Sequence, residues 1–432
     1  MKTILLLAGR STRLWPLTDK TLFPVCGKTL LEHQIAQLKE GGCDDIILVG
    51  GSHNLEDIKS RFPSLKTVEQ EDLSLGMRGA LLSALPECGK EPVCIVSGND
   101  VIDHAAYSLI REMSSSVTGG AILAKEVSTY FPGGYLTVEG NRVTGIVEKP
   151  GEGNEPSNLI NIVAHIHNDS SVLLAALKEV SPKKDDGYEQ ALATLLKDYE
   201  YVAVPYEGDW KAVKYPWHFL PLLELFLSEI TEPVIDPSAD IHPTAVIDGP
   251  VIIGPSVKVL PHATVKGPCF VGANSIIANN ALVRNASIGE NCVVGYNTEV
   301  KSSILAGHVW THMTYIGDSI VGENVSFGGG CVTGNLRLDE RTIQSNVKKE
   351  TIDSALTKFG TIIGDNVRIG IQVGINPGVK IGGESFIAGG VFVPEDIPSG
   401  SFVYSKNGTV QIKENKETVP RPNDRAKYKK SM

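Results

Sequence analysis

The chain has 432 residues, 42% of them hydrophobic and 21% charged, so it can bury a sizeable core, and global disorder is excluded. Fifty acidic residues against 40 basic ones give a formal net charge of −10, which argues against bulk binding of nucleic acid or of an anionic membrane. No uninterrupted apolar run approaches the roughly 18 residues that a membrane span requires.

The seven cysteines are odd in number and never form a C-x-x-C pair. This usage predicts reduced thiols in a cytoplasmic protein rather than a disulfide framework or a zinc site. The apolar start at residues 4–8 is too short for the core of a signal peptide, and a loop motif follows it at once.

Residues 1–230 alternate short apolar strand patterns with amphipathic helix patterns. Residues 3–8 read as a buried strand, 29–39 as a helix with one apolar stripe, and 135–147 as a hairpin. Strands that alternate with helices predict an α/β, Rossmann-like domain with a mostly parallel sheet and ligands at the carboxyl ends of its strands. Residues 216–230 read as one further apolar helix.

A six-residue repeat begins at Ile235. An Ile or Val recurs at every sixth position to Val283, the register then slips by one to Ile288, and a second unbroken series runs from Ile363 to Val393. This period is typical of a parallel β-helix, whose inward side chains stack from coil to coil. Most of these positions are therefore simply core, and such a solenoid can serve only to assemble subunits.

The repeat is interrupted between 332 and 360 by a long polar stretch, the kind of excursion that is more often functional than decorative. The segment after 405 is basic, and we expect it to be mobile. The predicted divisions are an α/β domain at 1–230, a β-helix domain at 231–405 and a basic tail at 406–432.

Four motifs in the first half occur together: LAGRSTRLWPLTDK at 7–20, GKTLLEH at 27–33, GND at 98–100 and EKP at 148–150. Small residues in a turn after a strand let backbone N–H groups approach phosphates, and cations neutralise a pyrophosphate leaving group. Together the motifs resemble the sugar-1-phosphate nucleotidyltransferase family over roughly 1–230. The resemblance implies in-line attack of a sugar-1-phosphate on the α-phosphorus of a nucleoside triphosphate.

The resemblance also implies roles by position. Arg13 and Lys20 would act on the nucleotide phosphates, and Asp100 would bind Mg²⁺. The nucleotide-binding set is Ala8, Gly9, Gln70 (reading the base edge) and Gly76. The sugar-binding set is Gly134, Glu148, Lys149 and Asn161.

Three features depart from the family pattern. Ser11 stands where the loop has its second glycine, and the stretch from Lys20 to Pro24 is short. Ala212 occupies the place of a second metal ligand, a gap that Asp209 or solvent would have to fill.

The second half carries THMTYIGD at 311–318, a glycine run at 328–330, GNLR at 334–337 and KFGTIIGD at 358–365. These motifs closely resemble the acetyltransferase half of the bifunctional enzymes that make UDP-N-acetylglucosamine, and the archaeal type most. The resemblance covers roughly 235–400 and implies a left-handed β-helix that assembles as a homotrimer.

By position, His312 would be the general base that takes a proton from the amino group of glucosamine-1-phosphate as it attacks acetyl-CoA, since imidazole titrates near neutrality. The acceptor-binding set is Arg284, Lys301, Tyr315, Asn335 and Lys358. The CoA-binding set is Gly330, Ile371 and Gly389.

The sequence thus predicts a bifunctional enzyme with UTP, a sugar-1-phosphate and acetyl-CoA as small-molecule substrates, Mg²⁺ as cofactor, and neither a nucleic acid nor a membrane as partner. Three alternatives stay open. One is an acetyltransferase with a degenerate first domain, favoured by Ala212. The second is a nucleotidyltransferase for UTP or dTTP and glucose-1-phosphate with a structural solenoid. The third is a sugar-nucleotide sensor without catalysis.

Overall fold

The computed structural model describes residues 1–182, 184 and 186–429, which form two compact units. The first comprises Met1–Arg10 and Leu31–Ala212, and the second Ser11–Leu30 and Val213–Met432. The division differs from the sequence expectation in two respects, because residues 11–30 and residues 213–230 both group with the solenoid and not with the sheet of the first unit.

The first unit is built on a nine-stranded sheet. In spatial order its strands are Lys66–Glu69, Ile46–Gly50, Lys2–Leu6, Val93–Ser97, Leu159–His167, Gly120–Glu126, Tyr201–Pro205, Arg142–Glu148 and Gly134–Glu139. A two-stranded ribbon pairs Asp100–Ile102 with Trp210–Ala212. The helices are Leu30–Glu40 (its first residue falls in the second unit), Leu55–Arg61, Gly76–Ala84, His104–Ser114, Ser170–Glu179 and Gly187–Asp198, with short 3₁₀ turns at Leu73–Leu75 and Leu85–Glu87.

This sheet is mixed, so the expectation of a mostly parallel sheet is wrong in part. The strands around Lys2–Leu6 are parallel, whereas Leu159–His167 runs antiparallel to both of its main neighbours. No crossover helix separates Gly120–Glu126 from Leu159–His167, and the chain returns between them through the predicted hairpin at 134–148. Without a helical crossover, neighbouring strands pair antiparallel.

The second unit is a parallel β-helix with three faces. The first face has the strands Val234–Ile235, Val251–Ile253, Cys269–Val271, Ser287–Ile288, Ile304–Leu305, Ile320–Val321, Ile362–Ile363 and Lys380–Ile381. The second face has Asp240–Ile241, Lys258–Val259, Ile276–Ile277, Val293–Val294, Ser326–Phe327, Arg368–Ile369, Phe386–Ile387, Ser401–Lys406 and Thr409–Glu414. The third face has Val246–Asp248, Thr264–Lys266, Leu282–Arg284, Glu299–Lys301, Tyr315–Gly317, Val332–Thr333, Gly374–Ile375 and Phe392–Val393.

The predicted aliphatic repeat forms the core of this solenoid. The repeat positions from Ile253 onward are buried, while Ile235 in the first coil is 41% exposed because no coil lies beneath it. The register slip also has a structural meaning. The corner between the third and first faces is one residue shorter from Val283 onward, and Asn285, Ser302 and Asp318 turn it with left-handed φ angles of 50°, 45° and 48°.

The remaining elements of the second unit surround the solenoid. A 3₁₀ turn at Pro216–His218 leads into the helix Phe219–Ser228, so the predicted apolar helix begins three residues late. Small ribbons pair Pro24–Val25 with Lys28–Thr29 and, inside the interruption of the repeat, Gln344–Val347 with Glu350–Asp353. After residue 405 the described chain completes a hairpin and forms a helix at Pro422–Lys429. Residues 430–432 of the predicted tail lie outside the described residues.

Candidate functional sites

The loop after the first strand carries the small residues Ala8 and Gly9. Ala8 is buried, and a side chain at Gly9 would meet open space. Ser11 has φ +50°, a left-handed conformation that glycine adopts more easily, so serine occupies it at some conformational cost.

Arg13 and Lys20 belong to the segment Ser11–Leu30 of the second unit. The Arg13 guanidinium lies 5.8 Å from the centre of the Tyr215 ring, a cation–π distance, and Lys20 is 8% exposed. Both cations are therefore held by surrounding protein before any ligand binds.

Asp100 lies at the start of the strand Asp100–Ile102 in the first unit and is 8% exposed. The Trp210 indole N–H donates to its Oδ1 (3.0 Å), and the Gln34 amide donates to its backbone carbonyl (2.8 Å). Ala212 is the direct register partner of Asp100 across the ribbon. The sequence reasoning did not single out Trp210 or Gln34 as the groups that orient Asp100.

The ribbon register places Asp209 opposite Asp103 and not opposite Asp100. Asp209 lies beside Asp103, whose N–H donates to the Asp209 carbonyl oxygen (3.3 Å) and whose carboxylate accepts from the Asp209 N–H (3.0 Å). Asp103 is three residues from Asp100, about 10 Å along a strand. In the described chain no cluster of three or more His, Cys, Asp or Glu side chains is arranged to hold a metal by itself.

A shared Mg²⁺ nevertheless fits these residues. Mg²⁺ is often bound through one or two carboxylates together with substrate phosphates and water. Asp100 supplies one carboxylate fixed by Trp210, and the methyl group of Ala212 opposite leaves room but no ligand.

Gln70 is 4% exposed, and its amide orientation is fixed. Its Nε2 donates to the carbonyl oxygens of Asp72 (3.0 Å) and Gly76 (2.9 Å), which only an NH₂ group can do. The carbonyl Oε1 is consequently the atom left to meet a base, and it can only accept a hydrogen bond.

The four predicted sugar-binding residues come together in the first unit. Gly134 and Glu148 are register partners, and a side chain at Gly134 would collide with the Asn161 amide, its Cβ 2.8 Å from Oδ1. Lys149 has φ +46° and pairs with the Glu148 carboxylate at 2.6 Å. These polar groups converge on one patch at the end of the hairpin.

The second predicted site lies on the third face of the solenoid. Arg284, Lys301 and Gly317 are consecutive partners in one column of this face. Arg284 pairs with Glu299 (2.9 and 2.6 Å), and Lys301 pairs with Asp318 (3.1 Å) where both side chains are nearly buried.

Asp318 and Asn335 connect this column to Tyr315. The Asn335 amide donates to Asp318 (2.5 Å) and to the Tyr315 hydroxyl (3.1 Å). Asp318 and Glu299 were not assigned from the sequence, although Asp318 stands in the motif at 311–318. With Lys358, the ionised groups named here leave one net positive charge at this corner.

A cavity of about 310 Å³ opens at the same corner. Leu220, Leu223 and Leu227 of the helix Phe219–Ser228 form its apolar wall. Asp318 and Lys358 line the polar wall, together with Asn285 and Ser302 at the corners of earlier coils. Lys358 is brought there because Leu336 and Lys358 form a β-bridge that closes the interruption of the repeat.

His312 lies at the other edge of the third face, on the corner shared with the second face. The strand Tyr315–Gly317 separates the two edges by about 7 Å, and Tyr315 begins that strand. A Cβ at Gly329 would lie 3.4 Å from the His312 ring, so glycine there leaves the imidazole uncovered.

The predicted CoA-binding residues continue the His312 corner. Gly330 N–H donates to Met313 O, Gln372 N–H to Gly329 O and Gly390 N–H to Ile371 O, each at 2.8–2.9 Å. Gly330, Ile371 and Gly389 therefore follow His312 up successive coils, with Ile371 60% exposed. The CoA-binding residues predicted from the sequence thus lie next to one another along the corner that holds His312.

Comparisons with known families agree with this division. The nucleotidyl transferase family matches residues 2–213, the GMPPB C-terminal domain residues 230–353, and the hexapeptide repeat of succinyl-transferase residues 360–394. The chain therefore combines a nucleotidyl transferase domain with a hexapeptide-repeat solenoid.

Relatives match over nearly the whole chain. The bifunctional protein GlmU of Methanocaldococcus jannaschii is 32% identical over 94% of this chain and 98% of its own. The bifunctional sugar-1-phosphate nucleotidylyltransferase/acetyltransferase of Sulfurisphaera tokodaii is 32% identical over 93% and 99%. GlmU of Methanococcus maripaludis is 35% identical over 96% and 99%. The chain belongs to this family of bifunctional enzymes, as the resemblance to the archaeal type predicts.

Among the described residues, no helix combines the length and apolar character needed to cross a bilayer. All seven cysteines are free thiols.

Proposed function

We propose that this chain acetylates glucosamine-1-phosphate with acetyl-CoA and transfers a uridylyl group from UTP to N-acetylglucosamine-1-phosphate. The observation that carries the proposal is the third face of the solenoid, where the strand Tyr315–Gly317 lies between the corner that holds His312 and the column that holds Arg284 and Lys301.

In the acetyl transfer, His312 accepts a proton from the 2-amino group as the nitrogen attacks the thioester carbon. The C–N bond forms, the C–S bond breaks, and CoA leaves as the thiol after protonation. Arg284, Lys301 and Lys358 bind the phosphate, and Tyr315 and Asn335 orient the sugar. A positioned general base contributes about 10²–10⁴-fold to such a step.

The Gly328–Gly330 backbone would face the thioester, and Ile371 and Gly389 the pantetheine arm. The exposed His312 and Ile371 on this corner support that assignment, as does Gly329, where a side chain would lie against His312.

In the uridylyl transfer, Arg13 and Lys20 neutralise the charge of the nucleotide phosphates. Gln70 Oε1 accepts a hydrogen bond from the N3–H of the base. Gly134, Glu148, Lys149 and Asn161 bind the sugar phosphate. Asp100 would hold Mg²⁺, which supplies charge neutralisation at the phosphates when bound. Positioning and charge account for most of the catalysis of such reactions.

The free thiols support a cytoplasmic location. The family resemblance supports a homotrimer.

Two separate assays test the proposal: thiol release from acetyl-CoA with glucosamine-1-phosphate, and pyrophosphate release from UTP with N-acetylglucosamine-1-phosphate. We expect both to respond. Thiol release alone would support the acetyltransferase with a degenerate first domain that Ala212 favours. Silence in both assays, also with glucose-1-phosphate, would refute the proposal.

A further inference from the structure

The segment Ser11–Leu30 carries Arg13 and Lys20, and none of its first ten residues lies in a helix or a strand. Over its first ten residues, the backbone bonds within it are Leu14 N–H to Ser11 O and Leu17 N–H to Leu14 O. Its conformation therefore depends on what it packs against, and the segment groups with the solenoid.

Trp15 anchors the first part of the segment. Its indole N–H donates to the Ser399 hydroxyl (3.2 Å), and the Lys380 ammonium lies 5.5 Å from the centre of a Trp15 ring. Pro16 also packs closely against the solenoid, because a Cβ at Gly364 would lie 3.0 Å from the Pro16 carbonyl oxygen.

Lys380 is itself held rigidly. It is 1% exposed, pairs with Asp396 (3.1 Å), and donates to Ser345 Oγ (3.3 Å) and to the Asn346 carbonyl oxygen in the ribbon at 344–353. A buried ammonium with this many partners has little freedom to move. The ribbon inside the interrupted repeat is thereby connected to the Trp15 anchor.

A second anchor lies at the far end of the segment. The Cys26 N–H donates to Ser287 Oγ (2.8 Å), and Gly27, with φ +78°, leaves room for the Phe270 ring, whose Cζ would lie 2.4 Å from a Cβ at that position. Ser287 and Phe270 belong to the first face, as does Lys380. The segment is thus fastened to one face at both ends.

We propose that the first face of the solenoid is a positioning element for nucleotidyl transfer, in which Ser399 and Lys380 hold Trp15, and thereby Arg13, in place. The inference rests on the proposed nucleotidyl transfer. The reason is physical: a cation that neutralises a transition state must be placed to within about 0.5 Å, and a misplacement of about 1 Å costs up to 10²-fold. The solenoid then serves both reactions, as scaffold for one and site of the other.

The test uses the full chain with Ser399→Ala, Trp15→Phe, and the two combined. Each single change removes the same hydrogen bond, so we expect kcat for pyrophosphate release to fall about two- to tenfold. The KM for UTP should stay within about twofold, because the interaction lost acts in the transition state. The double variant should be no worse than the singles, and Ser399→Thr should restore activity.

Acetyl transfer in the same preparations is the internal control and should not change. Ser405→Ala, an exposed serine in the strand Ser401–Lys406, is the matched control for both reactions. Unchanged pyrophosphate release in Ser399→Ala and Trp15→Phe would overturn the inference while leaving the proposed function intact.

Amide hydrogen exchange measures how firmly the solenoid holds the segment Ser11–Leu30 and does not depend on catalytic turnover. Ser399→Ala and Ser287→Ala should each speed exchange of amides in 11–30 and leave other solenoid amides unchanged. Unchanged exchange in that segment would overturn the inference. An inactive wild-type protein would refute the proposed transfer, and exchange alone would then decide whether the first face holds the segment.

Discussion

Asp318 connects Lys301 with Asn335 at the corner of the solenoid and, through Asn335, with Tyr315. The sequence motifs assigned roles to these three residues but not to Asp318. The sequence could supply the residue types on this face but not the hydrogen bonds between them. Those bonds depend on the shortened corner, whose left-handed turn places the Asp318 carboxylate beside the neighbouring column.

At Gln70 the fixed amide predicts base selection. Oε1 can accept from the N3–H of uracil or thymine, whereas N3 of cytosine would face it as a second acceptor. A site built to hydrogen-bond one partner rejects an analogue that cannot, so we expect CTP to be used at least about hundredfold less efficiently than UTP or dTTP. Comparable pyrophosphate release with CTP would contradict this reading of Gln70.

At Ala212 the ribbon register predicts a gain of metal affinity. Ala212→Asp places a second carboxylate opposite Asp100, so we expect the Mg²⁺ concentration for half-maximal pyrophosphate release to fall about tenfold. The neutral variant Ala212→Asn serves as the control of matched size. If both variants shift the Mg²⁺ requirement equally, the carboxylate is not a metal ligand.

At the scale of elements, the solenoid was predictable because its signal repeats. Each coil buries the same positions, so the six-residue spacing of buried aliphatic residues, as at Ile363, Ile369 and Ile375, recurs throughout the solenoid. The sheet of the first unit was less predictable from the sequence, because the direction of a strand depends on its connections and not on its hydrophobicity. The mixed pairing of Leu159–His167 and the grouping of Ser11–Leu30 with the solenoid both arise from tertiary packing.

One buried element of the first unit predicts acid sensitivity. His165 and His167 on the central strand Leu159–His167 bond the hydroxyls of Tyr188 and Tyr201. Burial lowers the pKa of each imidazole from 6.5 to about 3. Between these pH values the unfolded chain binds more protons than the folded chain, so the free energy of unfolding rises with pH. The stability that depends on the two neutral imidazoles is therefore lost as pH falls through this window.

We therefore expect the free energy of unfolding of the first unit to drop between about pH 6 and pH 4. His167→Gln keeps hydrogen-bonding groups but cannot titrate, so it should flatten the slope even where it lowers stability overall. The exposed His53→Gln is the control and should leave the slope unchanged. Denaturant unfolding at a series of pH values measures this, and an unchanged slope in His167→Gln would count against the assignment.

At the scale of the whole molecule, both halves of the family assignment could be made from motifs, because catalytic loops and corner glycines are short and specific. Assembly could be inferred only from resemblance. We expect light scattering to give three times the chain mass of 46.3 kDa. A monomer that still acetylates its substrate would show that the third-face site is complete within one chain.

Paired variants decide whether one chain carries two chemically separate sites. His312→Ala should lower thiol release about 10²–10⁴-fold and leave pyrophosphate release intact. Asp100→Asn should do the reverse, with folding of both checked by thermal melting. If either variant, still folded, loses both activities, or if His312→Ala retains acetyl transfer, the account of two independent sites is wrong.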